Sequence, residues 1–389
     1  MEKELELYLH IPFCMKKCNY CDFLSAPANE KTQEKYTAAL VREIRYYGER
    51  CRDRKVSTIY IGGGTPSWLS EHGMEVILKQ LFSSFVIKPD AEITIECNPG
   101  TLTKKKLQTY RRNKVNRLSM GLQSTMNDEL KELGRIHTYE QFVQNYELAR
   151  KAGFTNINVD LMSALPNQTA SKYLTSLKRV IDLKPEHISA YSLMIEPGTP
   201  FYEKYHFDTA NRKAGLPTKY LPSEDTEYEI YYRTKELLEQ AGYCHYEISN
   251  YAKPGDECRH NIGYWKRTDY LGMGLGASSL FENVRYVNEQ ELSTYIEGTK
   301  TAADLHIQAD VISRREQMEE FMFLGLRMTA GVTRAEFRKC FGVEVEAVYG
   351  ELLPRLAGEG LIVCEAGEIR LTDRGRDISN YVLAEFLME

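Results

Sequence analysis

Six short apolar runs set the frame of this chain, because each is followed by a stretch of helical pattern. In the first, Leu5, Leu7, Leu9 and Ile11 alternate with Glu6, Tyr8 and His10. The others are 56–61, 91–96, 117–122, 156–161 and 187–192. Apolar residues recur at helical spacing over 35–50, 68–85, 139–152 and 170–183. Period-two runs alternating with amphipathic helices predict a parallel α/β sheet. Polar and glycine residues gather where the strands end, at Cys14, Gly62, Glu96, Gln123 and Asp160. In a barrel of parallel strands those ends form one face, and chemistry collects there. Six units predict an incomplete (βα)6 barrel, open on one side.

The pattern then changes. Residues 196–285 are irregular, with one helix expected over 225–241. From Arg314 the expectation is a helix over 314–328, a second over 345–357 ending at Gly358 and Gly360, and a hairpin over 361–371 turning at Ala366 and Gly367. Together these predict a small winged-helix-like α+β domain. The boundaries expected are 1–195 for the barrel, 196–310 for an extension and 311–389 for the terminal domain. No repeat at a solenoid period and no low-complexity tract occurs.

Composition narrows the class. A net charge of −5 gives no global basic field for nucleic acid. No apolar run reaches the roughly 18 residues of a membrane span. Glu2, Glu4 and Glu6 stand where a secretory signal needs a basic start. The expected location is the cytoplasm, with peripheral docking on a membrane left open. Nine cysteines in a reducing compartment are not a disulfide framework. Cys51, Cys97, Cys244, Cys258, Cys340 and Cys364 are scattered and read as small apolar residues.

The remaining three are not scattered. Cys14, Cys18 and Cys21 fall in eight residues, spaced Cys-x3-Cys-x2-Cys, just after the first strand. Zinc would want a fourth ligand, either remote or His10. A redox pair at Cys18 and Cys21 would leave Cys14 unexplained. Three thiolates can also hold three irons of a 4Fe–4S cubane, leaving the fourth iron open to a small molecule.

The cysteine motif, followed one strand later by Gly62-Gly-Gly-Thr-Pro66, resembles the radical S-adenosylmethionine (SAM) superfamily. Members chelate SAM at the open iron and cleave it to a 5′-deoxyadenosyl radical. Tyr8-Leu-His-Ile-Pro-Phe-Cys14, Leu118-Ser-Met-Gly-Leu-Gln123 and Asn158-Val-Asp-Leu-Met162 with Leu165-Pro166 are similar to the oxygen-independent coproporphyrinogen III oxidase group. The resemblance runs along essentially the whole chain. It implies that Cys14, Cys18 and Cys21 hold the cluster and that Tyr8 and Tyr20 flank it and touch SAM. Gly63, Gly64 and Thr65 would approach the methionyl end, where a side chain would block the backbone. Glu96 would take the ribose hydroxyls, and Gln123, Arg135 and Asp160 would complete the SAM contacts.

Two departures point within the group. The oxidases carry a fourth cysteine where this chain has Phe23, and a long arm where only seven residues precede Tyr8. Both match the sister group, the HemW-type heme chaperones. His260-Asn-Ile-Gly-Tyr-Trp265 resembles that group's His-Asn-x-x-Tyr-Trp motif. Imidazole can ligate heme iron and aromatic rings can stack on a porphyrin, so His260, Tyr264 and Trp265 are candidate heme contacts, with packing as the competing reading. The resemblance implies a heme chaperone carrying a 4Fe–4S cluster and SAM, with heme as cargo and respiratory heme-accepting proteins as partners. It leaves room for a homodimer. The alternative is an oxidase that decarboxylates coproporphyrinogen III.

Three other features compete for attention. Gly272 to Ala277 lacks the spacing of a nucleotide loop and reads as a packing turn. Lys104, Lys105, Lys106, Arg111, Arg112, Lys114 and Arg117 form a basic run, read as a solvated helix face, with an acidic partner, a propionate or lipid headgroups as the alternative. Glu344, Glu346, Glu351 and Glu359 around the expected second terminal helix oppose DNA binding. The terminal domain is expected to cover the barrel's open side or meet a partner protein.

Overall fold

Every one of the six runs forms a strand, and helices fill the stretches between them. The computed structural model describes residues 3–301, 305–365 and 367–388; Glu2 and Ala366 of the readings above lie outside them. In chain order the elements are β1 (Lys3–Ile11), α1 (Glu30–Arg50), β2 (Arg54–Gly63), α2 (Glu71–Ser84), β3 (Val86–Cys97) and α3 (Lys104–Arg112). Next come β4 (Arg117–Gln123), α4 (Asn127–Glu132), α5 (Tyr139–Lys151), β5 (Asn156–Ser163), α6 (Ala170–Asp182) and β6 (His187–Ser192). Side chains of Asn29, Ser70, Thr103, Thr138 and Thr169 accept from the first-turn amides of α1, α2, α3, α5 and α6, each contributing about 1 kcal/mol. Because Ser70 caps α2, Trp68 falls outside that helix, in a preceding 3-10 turn.

Neighbouring strands from β1 to β6 pair in parallel, in sequence order. Their alternation has a direct structural cause. Leu5, Leu7, Leu9, Ile59, Ile61, Ile93 and Ile95 are buried in the core that the helices share. The intervening side chains, among them Tyr60, Glu96, Arg117, Ser119, Asn158 and Ser189, line the barrel interior, which is a cavity rather than an apolar core.

The next segment extends the sheet at both edges. It comprises α7 (Pro200–Lys213), α8 (Glu224–Gln240), β7 (Cys244–Glu247), β8 (Asn250–Ala252), α9 (Arg259–Trp265), β9 (Tyr270–Met273), β10 (Ser278–Phe281), β11 (Val284–Asn288), α10 (Leu292–Gly298) and β12 (His306–Val311). β8 and β7 add to β6, while β9, β10, β11 and β12 add to β1, in an order that begins with β12 and ends with β7. The 272–277 turn presses on β1, since a Cβ on Gly274 (φ +103°) would lie 2.6 Å from the His10 carbonyl.

The remainder has its own core, around Met322, Phe337, Leu356, Ile369 and Phe386. Its elements are α11 (Arg314–Gly325), β13 (Val332–Thr333), α12 (Arg334–Phe341), α13 (Glu346–Tyr349), α14 (Leu352–Gly358), β14 (Ile362–Glu365) and β15 (Glu368–Leu371), followed by two short helices. The single helix expected over 345–357 is two. Pro354 cannot donate a backbone hydrogen bond, and the break at Gly350–Glu351 puts it in a first turn, where no such bond is needed. This module docks beside α9. Glu320 accepts from Arg267 (2.6 Å) and Arg285 (2.8 Å), and Arg327 lies over the Trp265 ring.

Candidate functional site

The cysteine loop leaves the end of β1 and is pinned on both flanks. Cys14 N donates to Ala26 O, and Ala26 N to Pro12 O, so the loop closes on itself. Asn19 N donates to Leu133 O and its side chain to Glu132 O (2.8 Å), fixing the tip beside α4. His10 is buried, with Nε2 donating to Leu24 O (2.9 Å) and Nδ1 accepting from the Tyr8 hydroxyl (3.0 Å). With both nitrogens engaged, His10 is not a fourth ligand for the thiols.

Cys14, Cys18 and Cys21 line one cavity of about 570 Å³ that runs into the barrel. Burial raises the Cys14 and Cys21 thiols above their ordinary range, which disfavours free nucleophilic thiolates. Phe23 stands at the mouth, 62% exposed.

The glycine run lies against this loop. Gly64 N donates to Ile11 O (2.8 Å) and Thr65 N to Phe13 O (2.7 Å). Gly63 has φ +111°, and a Cβ there would sit 2.7 Å from the His10 ring. Only glycine fits, and the backbone is left bare toward the cavity.

Glu96, at the end of β3, accepts from Gly63 N (3.1 Å) and the Tyr60 hydroxyl (3.0 Å). Burial, with Asp160 adding repulsion, pushes its carboxyl up to about 7. Burial also raises Asp160, which accepts from Asn158 (2.6 Å). Arg135 donates to Asn98 Oδ1 (2.7 Å) and Gly121 O (2.6 Å) and reaches Cys18 Sγ at 3.6 Å. Gln123 accepts from the Tyr191 hydroxyl (2.8 Å) from a left-handed backbone, φ +72°. Such strain at a strand end is typical of a site held by its surroundings.

Of the residues singled out from sequence, Cys14, Cys18, Cys21, Tyr20, Gly63, Gly64, Thr65, Glu96, Gln123, Arg135 and Asp160 all line this cavity. Tyr8 does not; it lies beneath the loop, tied to His10. His260, Tyr264 and Trp265 do not line it either. His260 is 1% exposed, with Nδ1 bonded to Thr58 (2.6 Å), Nε2 to Tyr264 (2.9 Å), and its ring stacked on Tyr60 at 19°. Here the packing reading of the motif describes it. α9 plugs the barrel, its first amides held by the Glu92 carboxylate, and only Asn261 of the motif reaches the cavity.

The basic run is also partly corrected. Lys104, Lys105, Arg111, Arg112 and Lys114 are exposed, but Lys106 turns inward to Ser67 O (2.6 Å). Arg117 is buried inside the barrel and lines the cavity. Sequence reasoning placed Arg117 in the solvated run and passed over Ser119, Asn158, Ser189 and Tyr191 as site residues, because inward-facing polar residues follow no apolar period. Their position at every second residue of a strand was the available clue.

Thiols, bare glycine backbone and paired acids around one opening of a parallel half-barrel define a radical SAM protein. The family model of the Radical SAM superfamily matches residues 8–180, and that of the HemN C-terminal domain matches 312–378. Two relatives are each 36% identical: the heme chaperone HemW of Lactococcus lactis, over 100% of this chain and 99% of that one, and HemW of Escherichia coli, over 99% and 98%. The chain belongs to the HemW family. Among solved structures, the coproporphyrinogen III oxidase HemN of Escherichia coli superposes with a TM-score of 0.85 at 27% identity, covering 100% of this chain and 91% of that one. Among the described residues no helix is long and apolar enough to cross a membrane.

Proposed function

We propose that this protein is a heme chaperone that carries a 4Fe–4S cluster and SAM and hands heme to respiratory apo-proteins. The observation that carries the reading is end-to-end similarity, at 35–36% identity, to HemW chaperones of almost the same length. The donor set fits the cofactors: three soft thiols on one loop, a neighbouring His10 whose two nitrogens are both engaged, and bare backbone next to them. In this reading Cys14, Cys18 and Cys21 would hold the cluster, which would supply one-electron transfer to SAM. Gly63, Gly64 and Thr65 receive the methionyl end, Glu96 accepts from the ribose, and Gln123, Arg135 and Asp160 shape the rest. Arg135 places a positive charge 3.6 Å from Cys18 Sγ. Residues 1–195, 196–310 and 311–389 serve as barrel, edge extension and docked module. Heme contact through His260 requires α9 to leave its seat, so we place the heme elsewhere than on that ring in this conformation.

The coproporphyrinogen oxidase reading draws on the structural likeness to HemN. Phe23, in place of a fourth cysteine, weighs against it. One preparation decides between them. The cluster is reconstituted anaerobically, heme is titrated by absorbance, and coproporphyrinogen III conversion is followed by chromatography. Heme uptake without decarboxylation is the expected result; decarboxylation at useful turnover refutes the chaperone reading.

A further inference from the structure

Arg54 and Arg117 are both almost sealed from solvent, at 4% and 2% exposure. Arg54 has two carboxylates, Asp269 at 2.6 Å and Glu282 at 2.7 Å. Arg117 has none. Among the described residues its side chain makes no hydrogen bond or ion pair, and its Nε is enclosed without a partner. The nearest acid on the adjoining strand, Glu92, is spent on Cys258 and the first amides of α9. Within the barrel, Glu96 and Asp160 are held by Tyr60, Gly63 and Asn158. Glu92 and Asp160 act on this guanidinium only through space, and a charge in so dry a place with no group bonded to it is costly. Such a group in a cavity marks a binding position.

The cavity reaches it. Between the rim and Arg117, the inward face of β4 carries Ser119 and Gly121; Gln123, Asn98 and Arg135 lean over Gly121, so a ligand arm would pass beside those side chains to reach the floor. One guanidinium matches one negative charge in a fork geometry suited to carboxylate. Glu96 and Asp160 on neighbouring strands disfavour a dianion.

We propose that Arg117 anchors a carboxylate-binding subsite on the floor of the barrel cavity, filled by a carboxylate of the bound ligand. The subsite rests on the cofactor and cargo reading above; with the methionyl end of the cluster-bound SAM taken by Gly63, Gly64 and Thr65, the two sources are the aminocarboxylate end of a further SAM molecule or a porphyrin propionate.

The test uses the cluster-reconstituted full chain and Arg117→Gln. It measures SAM affinity, affinity for heme and for heme dimethyl ester, and the ligand-free melting midpoint. Gln removes a buried charge that no carboxylate contacts directly, so the ligand-free midpoint stays level or rises. If a propionate is the source, the parent prefers heme to its diester by at least tenfold and the variant loses that preference. If SAM is the source, SAM affinity falls at least tenfold and the heme-to-diester ratio is unchanged. SAM and heme affinities both within twofold of the parent, with the diester ratio unchanged, overturn the subsite. So does a variant that melts more than 5 °C lower or fails to fold, since the ligand-free protein would then need the guanidinium. A parent that binds neither SAM nor heme refutes the proposed function as well; a parent that binds both, beside an unaltered variant, refutes the subsite alone.

Discussion

Replacing His260 separates a ligand to iron from a plug in a barrel. The ring is fully enclosed, stacks on Tyr60 and bonds both Thr58 and Tyr264. Truncation to Ala removes an aromatic-sized core group, and two hydroxyls lose their partner inside the protein. Core truncation and lost hydrogen bonds together imply about 3 to 4 kcal/mol. His260→Phe keeps the shape and loses only the bonds, so about 2 kcal/mol is expected. A pH signature accompanies this. Burial lowers the His260 imidazole to about 3, so the folded protein holds it neutral while the unfolded chain takes a proton below about 6.5. Its contribution to stability is therefore full above that pH and is lost as pH falls, by about 2 kcal/mol at pH 5. Urea unfolding at pH 5 and pH 7 of the parent and His260→Phe isolates this loss, which the variant lacks. Heme affinity of the folded variants is expected to stay within threefold of the parent. Unchanged stability with a tenfold loss of heme affinity would refute the reasoning and return His260 to the iron.

Other consequences are equally measurable. Hydroxyl donors favour the ionised form of Glu96, whose carboxyl sits at about 7, so SAM affinity rises between pH 6 and pH 8, while Glu96→Gln shows a flat profile with at least a tenfold loss at pH 8 in calorimetry. The same raised value means the folded protein keeps a proton the unfolded chain has lost, so this group's effect on ligand-free stability worsens as pH rises from about 4.5 to 7, and Glu96→Gln melts higher than the parent at pH 8. Gly63→Ala must hold a left-handed backbone and push a methyl toward the His10 ring; a loss of at least about 2 kcal/mol in denaturant unfolding is expected. Glu320→Gln leaves Arg267 and Arg285 without their shared carboxylate, at about 3 kcal/mol, and limited proteolysis should release the 312–388 module sooner.

What could be read along the chain was what a helix layer demands. A strand lying under helices must turn an apolar side chain to them at every second position, and Leu5 to Ile11 shows that period openly. The thiol spacing and the glycine run were legible for a similar reason, since both are local and a backbone at φ +111° has few other solutions. The break near Gly350 was written in Pro354 and was overlooked because the apolar pattern runs through it.

The rest depended on distance in space. Arg117 stands among basic residues in sequence, yet its companions in the fold are Tyr60, Ser119 and Asn158, contributed by three strands. His260 looks like an available ligand in a short motif, yet Thr58 and Tyr264 close both its nitrogens from different elements. Charge counted along a segment says nothing about which residue the pleat turns inward. A barrel whose interior is a cavity makes that distinction decisive, because its inward residues face open space as well as one another. An acid such as Glu96 can there be satisfied by backbone and tyrosine, while a base such as Arg117 is left waiting. The imbalance is visible only once the strands are side by side, and under the subsite proposed above it makes the floor of the cavity the place to look for the charged end of a ligand.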